Sequence, residues 1–495
     1  MYLDRIQKMK FISHLCIVAG GFIGLISYHA DLIGMGGRAG IGAAQILGVD
    51  AGLGLVLFGI GLLTIPQIDG RLRKERSSTT LGGATDISIT FWVLAGFLIV
   101  YFFLFITPLF FTKPSIQYFT KYIPDAYVTH IGFDIDMTMG RVERWLTTGN
   151  SPYRDLYYYS PLTLVIFAPL LILEYPKFYQ FNTIITVIAF IACSFILPIL
   201  MSRKKNWAML MLLFITGLFS YGFQFELERG QYNVITFALA LLAIYIFHFH
   251  ERLWFYAYLL FSLAIQLKIY PVFLIVAFIK DWRDWKGNLK RVAGLALFNF
   301  LLLFVLGYPL FLDFVNNLSG VQLTYRSSRF EDMSIAGFVL DLTTDGFGII
   351  PSTALPALSQ RASLIEGFFL LVFGLCLIAV IAAEVRRRRQ GWNPHLLLIT
   401  TIGMLIIPSA SVDYKLPLLV APLAILLSDL DSAATAQRKL ISFIVVFIAS
   451  AAYFLTLYPF TVKPFFFSRN FPALFILLIS TTALYFLRQN KDDEQ

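Results

Sequence analysis

The stretch Phe225–Phe249, FELERGQYNVITFALALLAIYIFHF, passes from two carboxylates and an arginine directly into an apolar run. The run over 233–249 approaches the ~20 residues that a bilayer's hydrocarbon requires. Ahead of it stand Glu226, Glu228, Arg229, Gln231 and Asn233. Polar groups at the edge of an apolar helix cost free energy unless they find partners. A solvated turn carrying a helix cap is the plain reading. Against it, Gln231 and Asn233 enter the apolar run itself, at a depth where an amide needs something to bind.

The same pattern recurs along the chain. Apolar runs cover about 11–28, 40–65, 88–111, 178–201, 207–223, 233–249, 253–267, 269–280, 292–313, 363–383, 396–408, 415–428, 439–459 and 470–487. Of 495 residues, 58% are hydrophobic and 14% charged, with a mean hydropathy of +0.73. Soluble domains carry roughly a quarter charged residues, so this composition excludes a soluble globular protein. The 49 Phe and 24 Tyr suit lipid-facing helices with interfacial belts. The fold class is an all-α polytopic membrane protein with about 12–15 transmembrane helices.

The net charge of +9 does not indicate nucleic acid. Basic residues lie in short clusters at 71–76, 203–205, 280–291 and 386–389, the pattern of loops facing an anionic cytoplasmic leaflet. With those on one side, segments 112–160, 224–232, 314–362 and 409–414 fall together on the other. The run 160–173 is too short to span and is expected to be re-entrant or interfacial. The stretch 253–280 carries charge at both ends (Glu251-Arg252 and Lys280-Asp281), so the chain is expected to turn near Lys268-Ile-Tyr-Pro271. Three regions follow: N-terminal spans over 1–111, a membrane core over 112–430 with external loops 112–160 and 314–362, and C-terminal spans with a short cytoplasmic tail over 431–495. The N-terminus reads as a retained first span without a clear cleavage site.

Ile131–Tyr159, IGFDIDMTMGRVERWLTTGNSPYRDLYYY, is the richest polar segment. Met139, Val142, Trp145 and Leu146 recur at helical spacing, with Arg141, Glu143, Arg144 and Thr148 on the other faces. This predicts an amphipathic interfacial helix ended by Gly149. Asp134 and Asp136 at its head are either caps or a general base, since a partly desolvated carboxylate can take a proton from a hydroxyl. Lys268 is either a snorkelling lysine or a point charge for a phosphate. Asp413, Tyr414 and Lys415 again place charge between two spans, and Arg326 and Arg329 are further anion candidates.

Cys16, Cys193 and Cys376 lie in apolar runs, without disulfide or metal spacing. His248 and His250 fit a helix end better than a metal site. The glycines around Gly34 lack the strand and βαβ context of a dinucleotide fingerprint and read as a turn. No metal or cofactor is expected.

In order, Asp134, Gly149 with Ser151-Pro-Tyr153, Tyr159-Ser-Pro-Leu162, Gly230-Gln-Tyr-Asn233, Lys268-Ile-Tyr-Pro271 and Pro408-Ser409 before Tyr414 resemble the family-87 group of GT-C membrane glycosyltransferases. That group includes polyprenyl-phosphate-mannose-dependent mannosyltransferases. The likeness spans roughly 130–420. Thr138 stands where the family has an aromatic, Ser160 replaces its first proline, and Asp136 rivals Asp134. The resemblance implies a GT-C-like bundle with an external-loop active site in the plasma (inner) membrane, facing the non-cytoplasmic side. It implies a polyprenyl-phosphate-sugar donor, a lipid or glycan acceptor, inversion, and an aspartate base. Lys268, Lys415 and Arg229 would hold the leaving phosphate, with Arg141, Glu143, Tyr153, Glu226, Gln231, Asn233, Asp413 and Tyr414 among the substrate-binding candidates. A transporter or flippase for a lipid-linked sugar is the alternative, although no internal repeat is visible.

Overall fold

Helices make up every named element that the computed structural model describes, over residues 131–155, 157–175, 177–202, 207–324, 332–344, 350–387, 391–409, 411–428 and 470–492, with single positions at 19, 23, 96 and 98. Those single positions apart, the spans expected at 11–28, 40–65, 88–111 and 439–459 lie outside the described residues. So do the basic clusters at 71–76 and 203–205, the Gly34 turn, Cys16, Arg326 and Arg329.

In chain order the helices are α1 (Phe133–Thr148), α2 (Pro161–Phe167), α3 (Lys177–Met201), α4 (Trp207–Leu218), α5 (Tyr221–Arg229), α6 (Asn233–Phe249) and α7 (Trp254–Leu267). There follow α8 (Trp285–Leu302), α9 (Tyr308–Thr324), α10 (Ile335–Thr344), α11 (Leu355–Gln360) and α12 (Ala362–Arg387). The last are α13 (Pro394–Ile406), α14 (Val420–Ser428) and α15 (Phe471–Asp492). Short 3-10 segments at Pro152–Asp155, Tyr270–Phe278 and Asp413–Leu419 complete the site region.

Among the described residues, α3 and α12 are each long and apolar enough to cross a membrane. On α12 the exposed residues Leu364, Phe368, Leu371, Leu375 and Ile378 form one outward stripe at helical spacing, as a lipid-facing helix requires. By contrast, α13 is buried from His395 to Ile406 and forms the centre of the bundle. The C-terminal α15 packs on α12 and α13, with the Tyr485 hydroxyl donating to Glu384.

One expectation changes. The run 292–313 is one span in sequence but two helices in the structure, because the chain turns at Leu303–Gly307 ahead of Pro309. The polar stretch after 223 is not a solvated turn. Helix α4 bends by 44° and continues as α5 through Arg229. Ser220 caps α5 by accepting from Phe223 N, and Gln224 Nε2 donates to the Leu218 carbonyl freed at the break (3.0 Å).

The turn expected near Lys268 is present. Lys268 is extended (φ −147°, ψ 129°), which stops α7 and sends the chain back as the 3-10 segment Tyr270–Phe278. Pro271 lacks an N–H and favours this stop. Gln266 O, left over at the helix end, accepts from Ser160 Oγ (2.6 Å) and Thr163 Oγ1 (2.9 Å). Ser160, which departs from the family pattern, therefore caps α7. At the other end of this hairpin Lys280 pairs with Glu251, and Gly391 N donates to Lys280 O (2.8 Å). The described basic loops thus meet at one end of the bundle.

Candidate active site

At the opposite end, segments distant in sequence converge on α5. Gly132 and Gly230 make the closest approach. Both have positive φ (73° and 65°), and a Cβ on Gly230 would lie 2.6 Å from Ile135 Cγ2. Gly132 N donates to Glu228 O (2.7 Å), so the start of α1 hangs on the end of α5. Helix α1 buries Ile135, Thr138, Met139 and Val142 and ends at Gly149, whose N–H reaches Trp145 O. Leu146, expected on the apolar face, is exposed, and Trp145 is half-buried. Thr138 is small enough to be buried here and donates its hydroxyl to Asp134 O (2.9 Å).

Asp134 does not cap α1: Gly132 occupies that position, and no side chain bonds there. Its carboxylate instead meets Arg229, Nε to Oδ2 at 2.8 Å and Nη2 to Oδ1 at 2.7 Å, and accepts from Gln231 Nε2. Asp136, two positions on, points nearly the opposite way. It lies near Tyr175, whose hydroxyl is pushed up to about 12 by burial and by the Asp136 charge. Of the two aspartates, Asp134 joins the cluster.

Gln231 ties that pair to a cation. Its Oε1 accepts from Lys268 Nζ (2.9 Å), which also donates to Tyr159 OH (3.0 Å). The ammonium stands 4.3 Å from the Tyr159 ring centre and 4.4 Å from that of Tyr232, an aromatic cradle that favours a cation. Lys268 is therefore held at the hairpin tip by partners and does not snorkel.

Beneath it, Glu226 accepts from Asn233 Nδ2 (2.7 Å) and from Val234 N (3.1 Å), which caps α6. Asn233 Oδ1 accepts from Tyr270 OH (2.8 Å), and Lys415 Nζ lies 4.9 Å from the Tyr270 ring centre. Tyr414 packs edge-on against Phe225 at 5.4 Å. Asp413 accepts from Asn470 Nδ2 (2.9 Å). Glu228 is buried, and neither carboxylate oxygen has a hydrogen-bond partner among the described residues.

The remaining candidates are peripheral. Tyr153 is buried in an aromatic row, 5.7 Å from Tyr157 and 5.6 Å from Phe314, and its hydroxyl donates to Tyr159 O. Burial and the nearby Asp313 charge push that hydroxyl's pKa up. Arg141 is half-buried, within electrostatic reach of Tyr157. Glu143 is exposed on α1 and is not brought to the cluster. His248 and His250 bond separately, to Ala277 O and Tyr245 OH. No group of three His, Cys, Asp or Glu side chains suited to a metal occurs among the described residues.

Sequence reasoning nominated neither Tyr159, Tyr232 and Tyr270 nor Asp332, Ser411 and Asn470. The tyrosines carried a signal, since Tyr159, Tyr232 and Tyr270 sit inside the motifs quoted above. The other three carried none, because the contacts that tie them to the site, Ser411 with Asp332 and Asn470 with Asp413, cross 79 and 57 residues.

A helical membrane bundle with a buried ionic cluster at one end has the architecture of an integral-membrane enzyme acting at an interface. The profile of glycosyltransferase family 87 matches residues 157–409, just over half of the chain, and the chain belongs to that family. No curated protein is similar enough to count as a match. The protein is thus a membrane glycosyltransferase. Asp134 and Asn470 both lie outside the matched residues.

Proposed function

We propose that this enzyme is a GT-C-type transferase. It moves a hexose or pentose, with mannose favoured, from a polyprenyl-phosphate sugar to a hydroxyl of a lipid or glycan acceptor, with inversion. It acts in the plasma (inner) membrane with its site on the non-cytoplasmic side, away from the basic loops. The acceptor oxygen bonds to the anomeric carbon as its proton passes to Asp134. The bond from that carbon to the phosphate oxygen breaks, and the electron pair leaves on the phosphate.

The observation that carries this reading is the ionic chain Arg229–Asp134–Gln231–Lys268. It sets a carboxylate and a cation at fixed positions joined by one amide. Fixed charge aimed at a developing anion is the largest common source of transition-state stabilisation. Lys268 and Lys415 are the phosphate's partners in this reading. Arg229, a third candidate for that role, already gives two donors to Asp134. A carboxylate has about four lone-pair positions, and the three donors among the described residues leave one at Asp134 Oδ1 for an acceptor's proton.

The test is purified protein in detergent with a panel of polyprenyl-phosphate sugars and candidate acceptors, scored for release of polyprenyl phosphate. Release that depends on Asp134 supports the reading. Turnover of a nucleotide sugar, with none from any lipid-linked donor, would overturn it.

A further inference from the structure

The segment Ser411–Lys415 is gripped from two sides by residues far from it in sequence. On one side, Asp332 Oδ1 accepts from Ser411 N (2.9 Å) and from Ser334 N (2.9 Å). Met333 N donates to Ser411 O (2.7 Å), and Asp332 and Val412 form an antiparallel bridge. Both backbone polar groups of Ser411 are thereby bound. Its hydroxyl, the one group left to turn, accepts from Lys415 Nζ (3.3 Å).

On the other side, Asn470 at the start of α15 donates its amide to Asp413 Oδ1 (2.9 Å). Both residues are buried, at 3% and 4% exposure. The two grips form one frame, because Phe338 of α10 lies 4.6 Å from Phe471, the residue after Asn470. Asp332 is itself buried, with its carboxyl pushed up by that burial, and its charge reaches Lys415. A buried carboxylate that accepts from two backbone N–H groups and faces a lysine is costly to assemble and adds nothing to a lipid-facing surface.

We infer that Asp332 and Asn470 are positioning residues for Lys415: the frame they make with α10 and α15 fixes where the ammonium stands over Tyr270. Neither residue touches substrate. This rests on the proposed phosphate role of Lys415.

The test uses the full-length enzyme and measures inhibition by polyprenyl phosphate alone, beside the KM of the acceptor. Losing a buried hydrogen bond to a charged group weakens an interaction by about tenfold or more. Asn470→Ala is therefore expected to weaken polyprenyl phosphate inhibition about tenfold while the acceptor KM holds. In a Lys415→Ala background the same substitution changes inhibition less than about twofold, because the ammonium it positions is gone.

Asp332→Ala behaves like Asn470→Ala. Asp332→Asn, which keeps the accepting oxygen, retains most of the inhibition. Should Asn470→Ala fail to fold, the near-isosteric Asn470→Asp serves. It sets two carboxylates together, loses inhibition near neutral pH, and regains it as the pH is lowered and one takes up a proton. Equal losses with and without Lys415, or a matching rise in acceptor KM, overturn the inference and leave the phosphate reading intact. Unchanged inhibition in Lys415→Ala itself overturns both.

Discussion

Arg229 grips Asp134 with both prongs of its guanidinium, at 2.8 and 2.7 Å, across 95 residues of chain. The pair is mostly shielded, with side chains 19% and 15% exposed. It joins α1 to α5 and orients the carboxylate at once. Two-pronged pairs of this kind fix direction as well as charge.

Asp134→Asn is expected to lower turnover by about 10²–10⁴-fold, the range for loss of a general base. Asp136→Asn, on the other side of α1, should stay within a few-fold. Release of polyprenyl phosphate by the two purified variants measures this. The reverse pattern would move the base to Asp136.

Arg229→Met leaves a part-buried carboxylate without its strongest partner. The expected loss is roughly 2–4 kcal/mol of stability, read as a lower melting temperature in detergent. Combined with Asp134→Asn, the loss should be smaller than the sum of the single losses, because the two residues share one interaction.

Lys268→Met removes the cation between the Tyr159 and Tyr232 rings, and kcat should fall by about 10²-fold or more. Lys268→Arg should not rescue it, since a planar fork does not fit a cradle shaped for a compact ammonium. Steady-state kinetics with the lipid donor decide the point.

Glu228→Gln replaces a buried carboxylate that has no hydrogen-bond partner among the described residues. Isolated buried charge is costly, so this variant should be as stable as the parent or more so by about 1–2 kcal/mol. A drop in melting temperature would mean that the charge has a structural use.

Ser160→Ala leaves Thr163 as the remaining hydroxyl on Gln266 O. Stability should fall by about 1 kcal/mol, and thermal unfolding with Thr163→Val and the double variant would show whether the two hydroxyls substitute for one another.

Much of the fold was legible because lipid imposes length and polarity on every span. Helices α3 and α12 coincide with apolar runs, and α1 stops at the glycine that the sequence marks. The hairpin turn at Lys268 was legible from charge at both of its ends. Helix α5 was not. The letters around Glu226 suit a turn as well as a helix, and what decides is tertiary: Ser220 caps it and Gly132 lies against its end. The break after α8 had a signal in Gly307 and Pro309, but a continuous apolar run hides it. Within the site, motif residues such as Gln231, Asn233 and Lys268 stood out for their polarity. Asp332 and Asn470 look like ordinary loop residues, since their partners lie 79 and 57 positions away.

The hairpin that starts with α7 stands on the pair Glu251–Lys280. Its rising arm runs through the 3-10 turn Glu251–Leu253 and the 14 residues of α7, about 27 Å at 2.0 and 1.5 Å per residue. Hydrocarbon is about 30 Å thick, so a hairpin with its feet at one interface carries Lys268 close to the other. A lipid-linked donor of the kind proposed would lie in that same plane. Encounter would then be two-dimensional, at a rate set by surface density in the leaflet instead of by bulk concentration.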